Sequence, residues 1–381
     1  MKILITGANG FIGQNLITSL HNLPAGWNSG FDVEEKLYLM EYDMESSPKL
    51  LEEYTKECDF VFHLAGVNRP KNSDEFMEGN AGLTESLLNH LKNNHNKAPV
   101  LITSSIQAEL DNAYGISKKV AEEMVLQYGK ENGVQTFVYR LPNVFGKWCR
   151  PNYNSVVATF AFQIARDIPI TIHDSAHKMQ LVYIDDVITE FLLALTGKEH
   201  RAQSFCYIPT TYETTVGEIA HFLHSFRQSR NNIQIPCMEE NSLEKKLYST
   251  YLSYLPENMF SYALNAHIDA RGSFTELFRS ADRGQVSVNI TKPGIIKGNH
   301  WHHTKTEKFV VISGHGVIRL RKIQDSNVIE YFVDGEKPEV IDIPPGYTHQ
   351  IVNNGSSDLI TVIWCSECYD PNHPDTYFLE I

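Results

Sequence analysis

The chain has 381 residues, more than the roughly 250 to 300 at which one hydrophobic core stops growing, so two domains are expected. Its composition, 42% hydrophobic and 21% charged, is that of a globular protein, and a formal net charge of -13 argues against nucleic acid or an anionic membrane surface as a main partner. No stretch approaches the roughly 20 apolar residues of a membrane span, and Gly7, Asn9 and Gly10 break the first apolar run too early for a signal peptide, which points to a cytoplasmic protein without membrane insertion.

In chain order, "KILIT" reads as a strand, "FIGQNLITSLHNL" as a helix, and "KLYLM" and "DFVFHLA" as strands. "NAGLTESLLNHLKNN" has helical period, "APVLITSS" is a strand, "AYGISKKVAEEMVLQYGKENG" is a long helix ending at a glycine cap, and "TFVYRL" is a strand. Repeated βα units predict a Rossmann-like, doubly wound parallel sheet covered on both faces. After about residue 265 the rhythm changes to "GQVSVNI", "KFVVISG", "GVIRLRKI", "IEYFV", "EVIDI" and "LITVIW", strands separated by Gly, Pro and Asn turns, the pattern of an all-β antiparallel barrel or jelly roll. The boundaries expected are residues 1–245 for the first domain, 246–264 for a Tyr-rich junction that packs where the domains meet, and 265–381 for the second.

Gly7, Gly10 and Gly13 follow a strand and open a helix, where missing Cβ atoms let backbone amides approach a pyrophosphate. Ser105 ends a later strand, and Tyr114 and Lys118 lie one helical turn apart on one face. A phenol with a pKa of about 10 needs a nearby cation to exchange protons at neutral pH, a part Lys118 can play, while Ser105 holds the substrate oxygen. Alone, a Tyr and a Lys four apart are more often an ordinary helix surface. Glu41 and Asp43 fall near the end of the second strand, where a carboxylate favours NAD(H) by binding ribose hydroxyls and repelling a 2′-phosphate; residues 24 to 35 just before are prone to insertion.

These motifs, with "DFVFHLAG" (59–66), "GNAGLTESLL" containing Asn80, "RLPNVFG" (140–146) and "LVYIDDV" (181–187), resemble the extended short-chain dehydrogenase/reductase family over about residues 1 to 230. The resemblance implies that Phe11 and Ile12 in the glycine loop contact the cofactor, that Asp59 lies near the adenine, that His63, Leu64, Ala65 and Gly66 line the cofactor, and that Pro142 borders the nicotinamide. It also implies that Asn80 and Asn143 face a nucleotide-sugar substrate.

Toward the end of the chain, His300, His302 and Glu307 follow Gly294, and His349 follows the turn "PPG" (344–346) and precedes Asn353. Residues two apart in a strand share a face, so His300 and His302 can point inward together, with Glu307 on the next strand and His349 on a distant one. Three imidazoles and a carboxylate suit Zn²⁺, with Fe, Mn and Ni as alternatives; His303 falls on the opposite face. A polar interior that binds ligand without metal is the competing reading. Cys365 and Cys368 form a CxxC pair at a strand end, more ordinary there than redox or zinc thiols.

The histidine and glutamate spacing is similar to that of the cupins, and "DARGSFTELF" (269–278) with "KGNH" (297–300) resembles the cupin sugar-nucleotide 3-epimerases. There the histidine matching His300 is a catalytic base; here His302 and Glu307 would recruit it to a metal, which leaves the base open between residues such as Lys297 and Tyr347. The whole chain, including "GKWC", "PNYNSVVATF", "DRGQVSVNI" and "DPNHPDTYFLEI", resembles the CapF-type bifunctional family of capsular polysaccharide synthesis. This implies C3 epimerisation of a UDP-linked 4-keto-6-deoxy-N-acetylhexosamine in the cupin and NADP(H)-dependent C4 reduction in the reductase domain, on the route to UDP-N-acetyl-L-fucosamine, by a homodimer. Two alternatives stand beside it: a reductase with a non-catalytic cupin, and an NAD-dependent sugar-nucleotide 4-epimerase.

Overall fold

The structure, a computed structural model, describes residues 1–23, 36–70 and 72–381; the insertion-prone residues 24 to 35 lie outside them. Two compact units emerge, Met1–His224 with Asn241–Pro256, and Ser225–Glu240 with Glu257–Ile381.

In the first unit, strands β1 (Lys2–Thr6), β2 (Tyr38–Tyr42), β3 (Phe60–His63), β4 (Val100–Ser105) and β5 (Thr136–Leu141) run parallel, and with β8 (Arg201–Ala202) and β9 (Phe205–Cys206) make a seven-stranded sheet ordered β2-β1-β3-β4-β5-β9-β8. A smaller sheet is ordered β10 (Tyr212–Thr215), β7 (Lys178–Tyr183), β6 (Asn143–Phe145). Successive β1 residues serve opposite faces: Ile3 and Ile5 pack with Leu16, Phe62 and Phe191, whereas Leu4 packs with Val61, Leu87 and Val125. Both faces are therefore dry, which explains the continuous apolar runs. The build direction reverses at β1, whose neighbours are β2 and β3, and this switch opens the crevice at the carboxyl ends of the strands. The long helix Ala113–Asn132 begins at Asn112, whose side chain accepts from the Gly115 amide, and ends at Gly133 in the left-handed conformation, φ 64°.

The Tyr-rich stretch divides differently from the expected boundaries. Its helix Leu243–Ser253 belongs to the first unit, with Leu247 and Tyr251 fully buried, and the Tyr254 carbonyl accepts from Arg166 at 2.9 Å. Residues 225–240 go to the second unit, where the Ile235 amide donates to the Arg279 carbonyl at 2.8 Å. Among the described residues no helix is long and apolar enough to cross a membrane.

The named strands of the second unit all pair antiparallel. One sheet is ordered β11 (Ala266–Asp269), β12 (Gly272–Ser280), β13 (Gly284–Thr291), β20 (Leu359–Cys365), β15 (Glu307–Ser313), β18 (Val340–Ile343). The other is ordered β17 (Val328–Asp334), β16 (His315–Lys322), β19 (Tyr347–Val352), β14 (Ile296–Trp301), β21 (Tyr377–Phe378). Phe309, Val311 and Ile363 from the first meet Ile318, Leu320 and Ile351 from the second to form the core. Asn353 is fully buried beyond β19; its amide donates to the carbonyls of Thr291 at 2.7 Å and Ser357 at 2.8 Å, and its oxygen accepts from the Gly355 amide. Asn353→Ala leaves these buried groups unpaired and is expected to destabilise this unit by about 2–4 kcal/mol, read as a lower denaturant midpoint of its unfolding transition; a change under about 0.5 kcal/mol, within the range of an ordinary surface substitution, would refute the role.

Candidate active site

The glycine loop lies where β1 ends. Gly7 has φ 73°, and a Cβ there would meet the Ala65 amide at 2.7 Å; one on Gly13 would meet the Gly7 carbonyl oxygen at 2.2 Å. Only glycine allows this closeness of loop, helix and the 64–66 segment. Helix Phe11–Asn22 starts at Gly10 with no side-chain cap, so its first amides remain for an anion. Phe11 and Ile12 turn their side chains onto the core, which leaves their backbones to face a ligand.

His63 is 1% exposed, so it does not line a cofactor surface as expected; it braces one. Thr84 donates to the Asn80 carbonyl at 2.6 Å, so it accepts from His63 Nε2 at 2.8 Å, and His63 Nδ1 accepts from Thr6 at 2.7 Å. This chain ties the ends of β1 and β3 to the helix Leu83–Asn93. Burial, and then the Lys118 charge, lower the imidazole pKa to about 3. Leu64 and Ala65 are half-buried and Gly66 exposed, beside the glycine loop as expected.

Two more expectations change. Asp59 accepts from the Lys2 amide at 2.6 Å at the amino end of the sheet, about 13 Å along the strand from His63, so it lies far from the adenine end of the crevice. The carboxylate that reaches the glycine loop is Asp43, which accepts from the amides of Asn9 and Met44, both at 2.7 Å; Glu41 is exposed. Asn80 is 2% exposed, and its amide is engaged by Val67 and by Ser117 at 2.9 Å, so it is a brace and not a substrate contact. Pro142 is half-buried between β5 and β6, and exposed Asn143 donates to the Gln180 carbonyl at 3.2 Å.

Ser105, Tyr114 and Lys118 come together at the carboxyl end of β4. Ser105 ends the strand, Tyr114 is half-buried against Phe76 with ring centroids 5.6 Å apart, and Lys118 Nζ donates to the Thr103 carbonyl at 3.2 Å. Lys118 was expected to depress the phenol. Burial instead raises the Tyr114 pKa, partly offset by the contact with Ser105, and burial also lowers Lys118 to about 8. A raised phenol keeps its proton at neutral pH, the state required to donate one to a nascent alkoxide.

In the second unit, His300 is the last residue but one of β14, His302 follows in the turn, Glu307 opens β15 in the other sheet, and His349 is the cross-strand partner of His300 on β19. A bulge at Asn299, φ 59°, breaks the register and lets His300 and His302 converge although His302 lies beyond the strand. One ligand atom from each residue lies within 4.8 Å of the others. Glu307 Oε2 is 3.4 Å from His302 Nε2 and 3.2 Å from His349 Nε2, and tetrahedral bonds of about 2.1 Å would set donors about 3.4 Å apart. These three atoms are buried without a hydrogen-bond partner, an arrangement that costs about 1–3 kcal/mol for each atom and that a cation would relieve. The residues therefore fit a divalent metal. Burial lowers His300 to about 4, keeping it neutral; burial opposes ionisation of Glu307, but its contacts with His302 and His349 outweigh it and hold the carboxyl below its usual range. The donors face a cavity of about 770 Å³ that Phe274, Lys297 and Tyr369 also line, the size of a small-molecule site.

Sequence reasoning missed Cys365, whose thiol donates to Glu307 Oε1 at 3.1 Å, and Asp375, whose carbonyl accepts from His302 Nδ1. The strand-end position of Cys365 was visible, but not its neighbour on another strand.

The pH dependence of stability follows from His63. Its folded pKa is lowered, so its neutral form adds stability above about 6.5 that is lost as pH falls toward about 3. The stability advantage of wild type over His63→Gln should therefore narrow by up to about 1.4 kcal/mol per pH unit in this window, measured by denaturant unfolding; a constant difference would count against a buried neutral imidazole.

Residues 3–205 match the model of the NAD dependent epimerase/dehydratase family, and residues 267–377 match the polysaccharide biosynthesis C-terminal domain. The UDP-2-acetamido-2,6-beta-L-arabino-hexul-4-ose reductase of Pseudomonas aeruginosa is 45% identical over 377 residues, 99% of this chain and 98% of its own. The crystal structure of the capsular polysaccharide assembling protein CapF from Staphylococcus aureus is 48% identical over the whole of both chains, with a TM-score of 0.90. RMD from Pseudomonas aeruginosa, solved with NADPH, is 20% identical with a TM-score of 0.52 over 66% of this chain and 98% of its own, a likeness of fold alone. Similar along its full length to proteins that pair the same two domains, the chain belongs to the NAD dependent epimerase/dehydratase family, as a CapF-type member with a polysaccharide biosynthesis C-terminal domain.

Proposed function

We propose that this enzyme acts twice on a UDP-linked 4-keto-6-deoxy-N-acetylhexosamine, epimerising C3 in the C-terminal, cupin-type domain and reducing C4 with NADPH in the N-terminal domain. The product would be UDP-N-acetyl-6-deoxy-L-talosamine, on the route to UDP-N-acetyl-L-fucosamine. The observation that carries this reading is the presence in one chain of a half-buried Tyr114 beside Ser105 and of a separate cavity on which four side chains able to hold a metal converge. The name of the 45% identical relative, a reductase of a UDP-linked 2-acetamido hexul-4-ose, supports the substrate class.

A C4 ketone acidifies the C3 proton. A divalent metal, most simply Zn²⁺ held by His300, His302, Glu307 and His349, would supply Lewis-acid stabilisation to an oxygen that gains negative charge. Lys297 lines the cavity with its ammonium held by Asn289 Oδ1 at 2.9 Å and the Ile290 carbonyl, whereas Tyr347 packs on the core, which favours Lys297 as the residue that meets substrate. In the N-terminal domain NADPH would supply the hydride. Ser105 orients the C4 oxygen, Tyr114 donates its proton to it, and Lys118 supports the phenolate left behind. Reduction removes the ketone that made C3 exchangeable and so fixes the new configuration. The exposed apolar side chains of β17, Phe332 at 75% among them, fit a homodimer in solution.

Incubation with the 4-keto sugar nucleotide in D₂O, followed by NMR, tests the assignment. Deuterium should enter C3 without cofactor, and reduction should need NADPH, with NADH giving the lower kcat/KM. Tyr114→Phe should lose reduction by about 10²–10⁴-fold while keeping C3 exchange. Wild type without exchange would leave a reductase carrying a non-catalytic second domain.

His349→Ala removes the donor from β19 and should lower Zn²⁺ content, measured by elemental analysis, to well under one ion per chain. A folded variant with full metal content would remove His349 from the ligand set.

A further inference from the structure

We propose that Asp375 is a positioning residue for the metal centre, its main-chain carbonyl fixing which nitrogen of His302 faces the metal and its carboxylate holding the turn that carries His302. This rests on the reading of His300, His302, Glu307 and His349 as metal ligands. His302 Nδ1 donates to the Asp375 carbonyl, so in a neutral ring the unprotonated nitrogen is Nε2, the atom without a hydrogen-bond partner 3.4 Å from Glu307 Oε2. The Asp375 carboxylate meanwhile takes the amides of the three residues after His302: Oδ1 accepts from His303 at 2.9 Å, and Oδ2 accepts from Thr304 at 3.0 Å and Lys305 at 2.9 Å. The Thr304 hydroxyl adds a fourth contact at 3.2 Å. Three successive amides on one anion fix a turn more tightly than a single bond does.

The same segment grips the site from both sides. Lys305 Nζ donates to the Pro374 carbonyl at 2.9 Å, and Tyr377–Phe378 pairs with His300 and Trp301, so the residues on either side of Asp375 hold the two histidines of β14 and its turn. No hydrogen bond within β14 itself orients the His302 ring, which lies past the end of the strand. Partners of this kind to a ligating histidine are worth about 10- to 100-fold in metal affinity.

The test uses the full chain stripped of metal, with Zn²⁺ affinity measured against a chromophoric chelator and Co²⁺ substitution read from its visible absorption. Asp375→Ala should fold, bind Zn²⁺ about 10- to 100-fold more weakly, and give altered Co²⁺ bands, while His303→Ala, which keeps its backbone amide, should match wild type. Asp375→Asn retains one acceptor oxygen for the turn and should fall between them; it also serves if Asp375→Ala fails to unfold cooperatively in the metal-free state. Wild-type affinity and an unchanged Co²⁺ spectrum in whichever of these variants folds would overturn the proposal. Wild type that takes up neither ion would overturn the metal reading with it.

Discussion

Glu307 is a carboxylate buried between two imidazoles, and the C-terminal domain is arranged around keeping it charged. One oxygen takes the Cys365 thiol hydrogen; the other faces His302 and His349 with no hydrogen-bond partner. An ionised group in a dry interior is tolerated only when opposite charge or strong donors meet it. Two sheets are needed to bring such partners together: Glu307 opens a strand of the six-stranded sheet, whereas His300 and His349 are cross-strand neighbours in the five-stranded one. The bulge at Asn299 and the contact from Asp375 then aim His302, which no strand holds. A metal ion bound here would complete this charge balance, and the core of Phe309, Ile318 and Ile351 supplies the rigidity that keeps these side chains in place.

The N-terminal domain solves a different problem with uncharged groups. The chain from Thr6 through His63 and Thr84 to Asn80 joins the ends of β1 and β3 to the helix beside the crevice, and burial keeps the imidazole neutral so that Thr6, His63 and Thr84 each donate once in a fixed direction to the next. Asn80 continues the brace to Val67 and Ser117, beside the helix turn that carries Tyr114 and Lys118. The first turn of the helix Ala113–Asn132 is thereby tied to the wall of the crevice. With it, the glycine loop, the 64–66 segment and the Tyr114 hydroxyl keep their separations, which proton transfer to a substrate oxygen requires to within a few tenths of an ångström.

The two sites call for opposite protonation states, which is a physical reason to keep them in separate domains. In the reduction proposed above Tyr114 has to hold its proton until an alkoxide forms, and burial raises its pKa. For a metal to bind, the donors around Glu307 would have to be free of protons: burial keeps His300 neutral and the contacts of Glu307 with His302 and His349 keep its carboxyl ionised, whereas His302, lowered by burial, is raised on balance by the Glu307 carboxylate. Epimerisation next to a ketone is reversible, and reduction of that ketone is what makes it final. A single pocket serving both steps would need one dielectric environment to stabilise a neutral phenol and an ionised carboxylate at once.

How much of this was legible before folding depends on the range of the interaction. β1 and β3 to β5 announced themselves by unbroken apolar runs because a parallel sheet is dry on both faces, and Ser105, Tyr114 and Lys118 because strand end and helical turn are local geometries. His300, His302, Glu307 and His349 were visible as residue types with metal chemistry at suitable spacing, although the helix and strand periods alone could not show that His302 lies past its strand. Asp59 and Asn80 were misplaced because a motif gives a position in sequence, while the end of the sheet a side chain occupies, and whether neighbours have already claimed its polar atoms, emerge only when strands are in register. Cys365 was legible only as a strand-end thiol and Asp375 not at all: their partners lie 58 and 73 residues away, and contacts at that distance are set by which strands pair. The sequence by itself determined the two domain types and the chemical groups available to each; tertiary structure decided which of those groups face a ligand and which hold the others in place, because burial and hydrogen-bond pairing are properties of the assembled sheets and not of any one segment.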